Sequence, residues 1–127
     1  MKKRLLVFSV CLLALTIFGG FGTVRAQGSA AVRRATWQTS VDDSSRGNVV
    51  LGIRDKWGSL GRFTASFTVT GPNGKTFRGR TTTTGDEWAY INFPGEFSGG
   101  AKAGGTYRVV FYANGVVIGR DRFRFRP

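Results

Sequence analysis

Arg120-Asp121-Arg122-Phe123-Arg124-Phe125-Arg126-Pro127 alternates with a period of two. Side chains of a β-strand point to opposite faces in turn, so this segment reads as a strand with two unlike faces. One face carries Arg120, Arg122, Arg124 and Arg126, which span about 20 Å at strand rise. The other carries Phe123 and Phe125 and is the face expected to be buried.

The segment before it completes a hairpin. Residues 106–126 turn at Ala113-Asn114-Gly115. A two-residue Asn-Gly loop pairs Val109 with Arg120 and Tyr107 with Arg122, which mixes core and charge on one face. A three-residue loop with Gly115 at a bulge separates them. Tyr107, Val109, Phe111, Val117, Phe123 and Phe125 then share one face. Arg108, Val110, Tyr112, Val116, Ile118, Arg120, Arg122 and Arg124 share the other. A bulge at Gly119 achieves a similar repair. The three-residue loop is preferred because it repeats the turn of an earlier hairpin.

That earlier hairpin covers residues 63–80 and turns at Gly71-Pro72-Asn73-Gly74. Pro suits the second turn position and Gly the left-handed fourth, which predicts a type I turn with a bulge. Val69 then opposes Phe77, and Thr68 opposes Arg78. Phe63, Ala65, Phe67, Val69 and Phe77 collect on one side. Thr64, Ser66, Thr68, Thr70, Thr76, Arg78 and Arg80 collect on the other.

Strands are also expected over 35–41, 48–54 and 87–93, the last with Ala89, Ile91 and Phe93 toward the core. Residues 42–47 read as a turn, 55–61 as a loop and 94–105 as a glycine-rich connection. No sustained helical periodicity follows Ala26. The expected fold is all-β: a single antiparallel β-sandwich of about seven strands over residues 35–127. A flexible mature N-terminus is expected over 27–34.

Residues 1–26 carry a different signal. A basic start, Met1-Lys2-Lys3-Arg4, precedes an uncharged apolar run to Phe18 and a small-residue end at Val24-Arg25-Ala26. This is the layout of a signal peptide cleaved after Ala26. An uncleaved membrane anchor is the alternative, since residues 5–24 are long enough to span a bilayer. Cleavage leaves no transmembrane segment and places the protein in the periplasm or outside the cell. Four of the 19 basic residues and none of the seven acids belong to this leader, so 15 against seven remain, a net charge of +8.

At Gly104-Gly105-Thr106-Tyr107-Arg108-Val109 the chain resembles immunoglobulin-like and fibronectin type III-like β-sandwich modules. Residues 84–94 and the final hairpin, 107–125, resemble exported bacterial modules of this kind. Tyr107 stands where those domains place a tyrosine-corner residue, two positions before a buried site on the penultimate strand. Val109 occupies the position that antibody domains give to cysteine, so no disulfide carries over. The resemblance implies adhesion, recognition or structural roles rather than catalysis.

The chain has no histidine, and its one cysteine, Cys11, lies in the leader. Ser-His-Asp, Cys-His and His-based zinc chemistry are therefore excluded. The carboxylates Asp42, Asp43, Asp55, Asp86, Glu87, Glu96 and Asp121 fall mostly at turns and match no metal-binding loop. No enzyme, metal or cofactor is expected. Trp37 and Trp88 read as structural, whereas Trp57, beside Lys56 in a Gly-flanked loop, is placed to stack on a ligand.

The remaining candidate is the basic hairpin. Guanidinium groups make bidentate contacts with phosphate or carboxylate. Arg108, Tyr112, Arg120, Arg122, Arg124, Arg126 and Trp57 are the expected ligand-binding residues. The expected partner is an anionic surface or polyanion, such as envelope lipid or acidic glycan, or an amphipathic protein. Nucleic acid fits the charge but is not favoured. The alternative role is structural, an envelope assembly protein docking on a protein partner. Charge on a terminal strand also guards against edge-to-edge aggregation, whatever else it does.

Overall fold

A computed structural model describes residues 29–99 and 103–127. The expected leader, 1–26, lies outside the described residues. Seven strands appear among the described residues: β1 (Trp37–Asp42), β2 (Val49–Asp55), β3 (Phe63–Thr70), β4 (Thr76–Thr83), β5 (Ala89–Phe93), β6 (Gly105–Ala113) and β7 (Val116–Phe125). They form two antiparallel sheets, ordered β1-β2-β5 and β4-β3-β6-β7. This is the expected seven-stranded β-sandwich. No helix of the described residues is long and apolar enough to cross a membrane.

Alternation places the core. Phe63, Ala65, Phe67 and Val69 of β3 are buried, while the residues between them are half-exposed. Ala89, Ile91 and Phe93 do the same on β5, and Tyr107, Val109 and Phe111 on β6. Phe93 sits at the centre. Its ring meets the edges or faces of Phe77, Phe97, Tyr107, Phe123 and Phe125 at centroid separations of 5.2–5.9 Å. Edge-to-face contacts suit the aromatic quadrupole, and burial of each such ring stabilises by about 1.5–3 kcal/mol. Gly79 leaves room for this packing: a Cβ there would come within 2.6 Å of Ile91 Cδ1.

The first hairpin has the expected register, with Val69 opposite Phe77 and Thr68 opposite Arg78. Gly74 holds φ +83° at the bulge. The final hairpin differs from the preferred expectation. Its loop is the two-residue Asn114-Gly115, with Ala113 opposite Val116 and Tyr112 opposite Val117. Phe111 then opposes Gly119, so the extra residue is Ile118, within β7. Asn114 takes φ +47° and its Oδ1 accepts the N–H of Thr64, which anchors the tight turn to β3. The bulge restores parity for the rest of the strand, and Phe123 and Phe125 point inward as expected. It also reverses part of the proposed outer strip. Val116 and Ile118 pack against the core, and Val117 is the exposed residue.

Three further details differ from expectation. Asp55 ends β2 rather than opening a solvated loop; it is fully buried, and its carboxylate accepts the N–H of Leu60 at 2.9 Å and the Ser59 hydroxyl. Within the expected flexible lead-in, residues 29–34 are helical. Val32 there is buried, and its carbonyl accepts the indole N–H of Trp37 at 2.7 Å. The β1–β2 loop, expected as a plain turn, reaches the free edge of β7. Asp43 Oδ2 accepts the N–H of Arg124, Gly47 donates to the carbonyl of Arg126, and Arg126 Nη2 donates to the carbonyls of Asp43 and Ser44. Ser44 donates from its hydroxyl and N–H to Asp42, which holds the Asp42 carboxyl below its usual range.

Tyr107 donates its hydroxyl to the carbonyl of Ala103 at 2.6 Å. Burial of the ring pushes its pKa above the ordinary tyrosine value.

Candidate functional site

The site is the outer face of the four-stranded sheet, and strand register assembles it. Across the sheet, Arg78 of β4 stands beside Thr68 of β3, Val110 of β6 and Arg120 of β7. The adjacent rows are Thr76, Thr70, Arg108, Arg122 and Arg80, Ser66, Tyr112, Val117. Arg124 follows on β7 opposite Thr106. The result is a central stripe of hydroxyls, on β3, with arginines on both sides. The two arginine-bearing outer strands are about 14 Å apart at ordinary strand spacing.

Arg78, Arg80, Arg108, Arg120, Arg122 and Arg124 are all exposed. Among the described residues the one ion pair is Arg54–Asp86 at 3.6 Å, which involves the other sheet. The six guanidinium groups of this face thus have no carboxylate oxygen within 4.0 Å. Arg108 and Arg122 lie directly opposite each other. Like charges in that position destabilise a sheet, and an anion laid between them relieves the repulsion.

Two open depressions flank the hydroxyl stripe. One, of about 700 Å³, is lined by Thr70, Arg108, Val110, Arg120 and Arg122, and Asp121 also reaches it. Asp121 Oδ1 accepts the N–H of Arg122 at 2.7 Å, so the carboxylate is held on the backbone of its own strand. The other, of about 460 Å³, is lined by Ser66, Thr68, Arg78 and Arg80, with Glu96 at its rim. Glu96 is engaged by the N–H and side-chain amide of Asn92, at 2.6 and 2.9 Å. Both depressions are therefore positively charged and bordered by hydroxyls.

Of the residues expected from sequence, Arg108, Arg120, Arg122 and Arg124 come together here. Tyr112 is on the same face, half-buried between Ser66 and Val117. Arg126 is not part of the row, because its guanidinium binds the carbonyls of the β1–β2 loop. Trp57 is 71% exposed, with Lys56 Nζ 4.9 Å from its ring centroid. It belongs to the connection entering β3 at Phe63, whereas the Arg108 row crosses β3 at Thr70, about 20 Å along the strand. Trp57 and the Arg108–Arg122 row are thus separate features.

Arg78 and Arg80 are the site residues that sequence reasoning missed. It placed them on the outward side of the first hairpin, but nothing joined that hairpin to the last. The pairing of β3 with β6 makes the two outward sides one surface. Among the described residues no three carboxylates gather at one point to hold a metal ion. Comparison with known proteins gives no matching family model, no matching curated relative and no matching solved structure.

Proposed function

We propose that this chain is an exported, non-enzymatic binding module that recognises a polyanion through the outer face of its four-stranded sheet. The observation that carries this reading is the set of six exposed arginines without a carboxylate partner, framing a row of hydroxyls. Arginine forks bind sulfate, phosphate or carboxylate, and the threonine and serine hydroxyls donate between them. The inward position of Val116 and Ile118 favours an anionic over an amphipathic partner. The architecture is read as immunoglobulin-like or fibronectin type III-like. The Tyr107 hydroxyl bond to a backbone carbonyl four residues upstream supports that reading, as it has the form of a tyrosine corner. Residues 1–26, read as a leader, supply the basis for export.

The test is retention of the purified protein on heparin and on vesicles containing phosphatidylglycerol, as salt is raised. The variants Arg120→Ser/Arg122→Ser/Arg124→Ser and Arg78→Ser/Arg80→Ser should each elute at lower salt, with the salt dependence reduced by about one per arginine removed. Retention on heparin alone identifies an acidic glycan, and retention on both an anionic surface in general. Equal, salt-insensitive retention of wild type and variants overturns the reading. Val110, Tyr112 and Val117 favour a second reading, a protein partner in envelope assembly. That reading predicts a complex stable at high salt in size-exclusion chromatography.

A further inference from the structure

We propose that the outer face of the three-stranded sheet is a second site, which binds a neutral polysaccharide by stacking on Tyr90 and Trp88. On β5 the inward residues Ala89, Ile91 and Phe93 fill the core, so Trp88 and Tyr90 lie on the opposite parity, facing outward. Their rings are parallel within 10° at a centroid separation of 5.5 Å, and Tyr90 is 52% exposed. Both rings reach over β2 at Gly52, which is opposite Tyr90 in the register. A Cβ at Gly52 would come within 2.8 Å of the Tyr90 ring and 3.2 Å of Trp88. Glycine here is what lets the aromatic pair settle onto the sheet. Gly52 is buried even though its parity points outward, because the rings cover it.

The surroundings define the ligand class. Ser40 stands beside Gly52 on β1, and Gln38 beside Arg54. Arg54 is held in place: Nε donates to the carbonyl of Asp86 at 2.7 Å, and Nη2 lies 3.6 Å from the Asp86 carboxylate. Its charge is thereby balanced, in contrast to the arginines of the other sheet. The face offers aromatic surface, a hydroxyl, an amide and a neutralised guanidinium over about 10 Å from β5 to β1. A pyranose has the complementary chemistry. Its C–H face packs on an aromatic ring while its hydroxyls exchange hydrogen bonds with polar side chains at the rim. An anionic polymer has no excess positive charge to meet here, so the ligand is an uncharged one.

The experiment is co-sedimentation of the purified full chain with insoluble cellulose, chitin or raw starch at high salt, where binding to the arginine face is screened. The wild type should sediment with at least one of them. Tyr90→Ala should weaken that binding about tenfold, the size of one good stacking contact. The variant Arg120→Ser/Arg122→Ser/Arg124→Ser should bind like wild type, which separates this site from the polyanion site. The proposal is overturned by absence of wild-type binding to all three polymers, whatever the variants do. It is overturned equally by undiminished binding of a folded Tyr90→Ala protein, or by loss of binding in the arginine variant.

Discussion

The hairpins β3–β4 and β6–β7 face the same problem and solve it at different places. Each must return its chain so that apolar side chains meet apolar ones across the pair. In β3–β4 the extra residue lies in the turn, at Gly74, and the strands beyond run without interruption. In β6–β7 the turn is the tight Asn114-Gly115, and the extra residue is Ile118, after the return strand has begun. The first arrangement puts every outward residue of β4 on one side from the start. The second makes β7 change parity partway, so that Val117 at the tip and Arg120, Arg122 and Arg124 farther on share the outer face. A bulge away from the turn thus edits which residues a strand exposes, without altering the turn itself.

The sharpest way to break this comparison is insertion of one alanine between Gly119 and Arg120. With the Asn114-Gly115 turn and the Ile118 bulge kept, the insertion shifts every later residue of β7 by one and directs Phe123 and Phe125 to solvent. Loss of two buried aromatics costs about 3–6 kcal/mol, against a total stability of about 5–15 kcal/mol for a small domain. The expected result is loss of the cooperative urea transition followed by tryptophan fluorescence. An insertion variant that unfolds near the wild-type midpoint means the turn and bulge do not set the parity of the rest of β7.

The two turns differ in a second, smaller way. Asn114 holds positive φ and its side chain accepts the N–H of Thr64 at 2.9 Å, whereas Asn73 makes a long 3.4 Å contact to Lys75. Asn114→Ala should cost about 1–2 kcal/mol and Asn73→Ala less than about 0.5, both read as shifts in urea midpoint.

Tyr107 provides a test on β6 itself. Its pKa is raised by burial, so its contribution is complete below the unfolded tyrosine value, near 10.0, and is lost as pH rises through the higher folded value. Tyr107→Phe should cost about 1 kcal/mol at neutral pH through the lost bond to Ala103, and should flatten the fall in stability at alkaline pH. Equal alkaline destabilisation of variant and wild type assigns that fall to another group.

The smallest effect is expected at Gly119. A Cβ there meets only ordinary contacts, Thr39 Cγ2 at 3.4 Å and Phe111 at 3.7 Å. Gly119→Ala should change stability by less than about 0.5 kcal/mol, since the bulge lies at Ile118 and does not require a glycine conformation.

These differences trace how far the sequence could be read. Alternation of Phe63, Ala65, Phe67 and Val69, and the Pro-Asn-Gly turn after them, specify a strand, its buried face and its register, because each is a local property. The final hairpin supplied the same alternation but two ways to reconcile it. A bulge at Gly74 is marked by glycine at a turn, whereas the bulge in β7 was signalled only by Gly119, next to the extra residue Ile118, and that signal left the three-residue turn open as the other repair. The wide basic face was legible only in halves, since which strands become neighbours depends on packing between distant segments. Arg126 looked like a fourth member of the row because alternation describes direction and is silent on partners; the carbonyls of Asp43 and Ser44 are 83 and 82 residues away in sequence. Trp88 and Tyr90 gave no local sign of meeting over Gly52, 38 residues from Tyr90 and on another strand.

The contacts of the β1–β2 loop with β7 also bear on how the molecule resists mechanical load. An edge strand held only by its neighbour peels away one hydrogen-bonded pair at a time when its end is pulled. Here Arg124 and Arg126 are tied to Asp43, Ser44 and Gly47, which belong to the opposite sheet's connection. Tension applied at Pro127 is therefore shared by both sheets from the first displacement, and the strand yields only after the strap does.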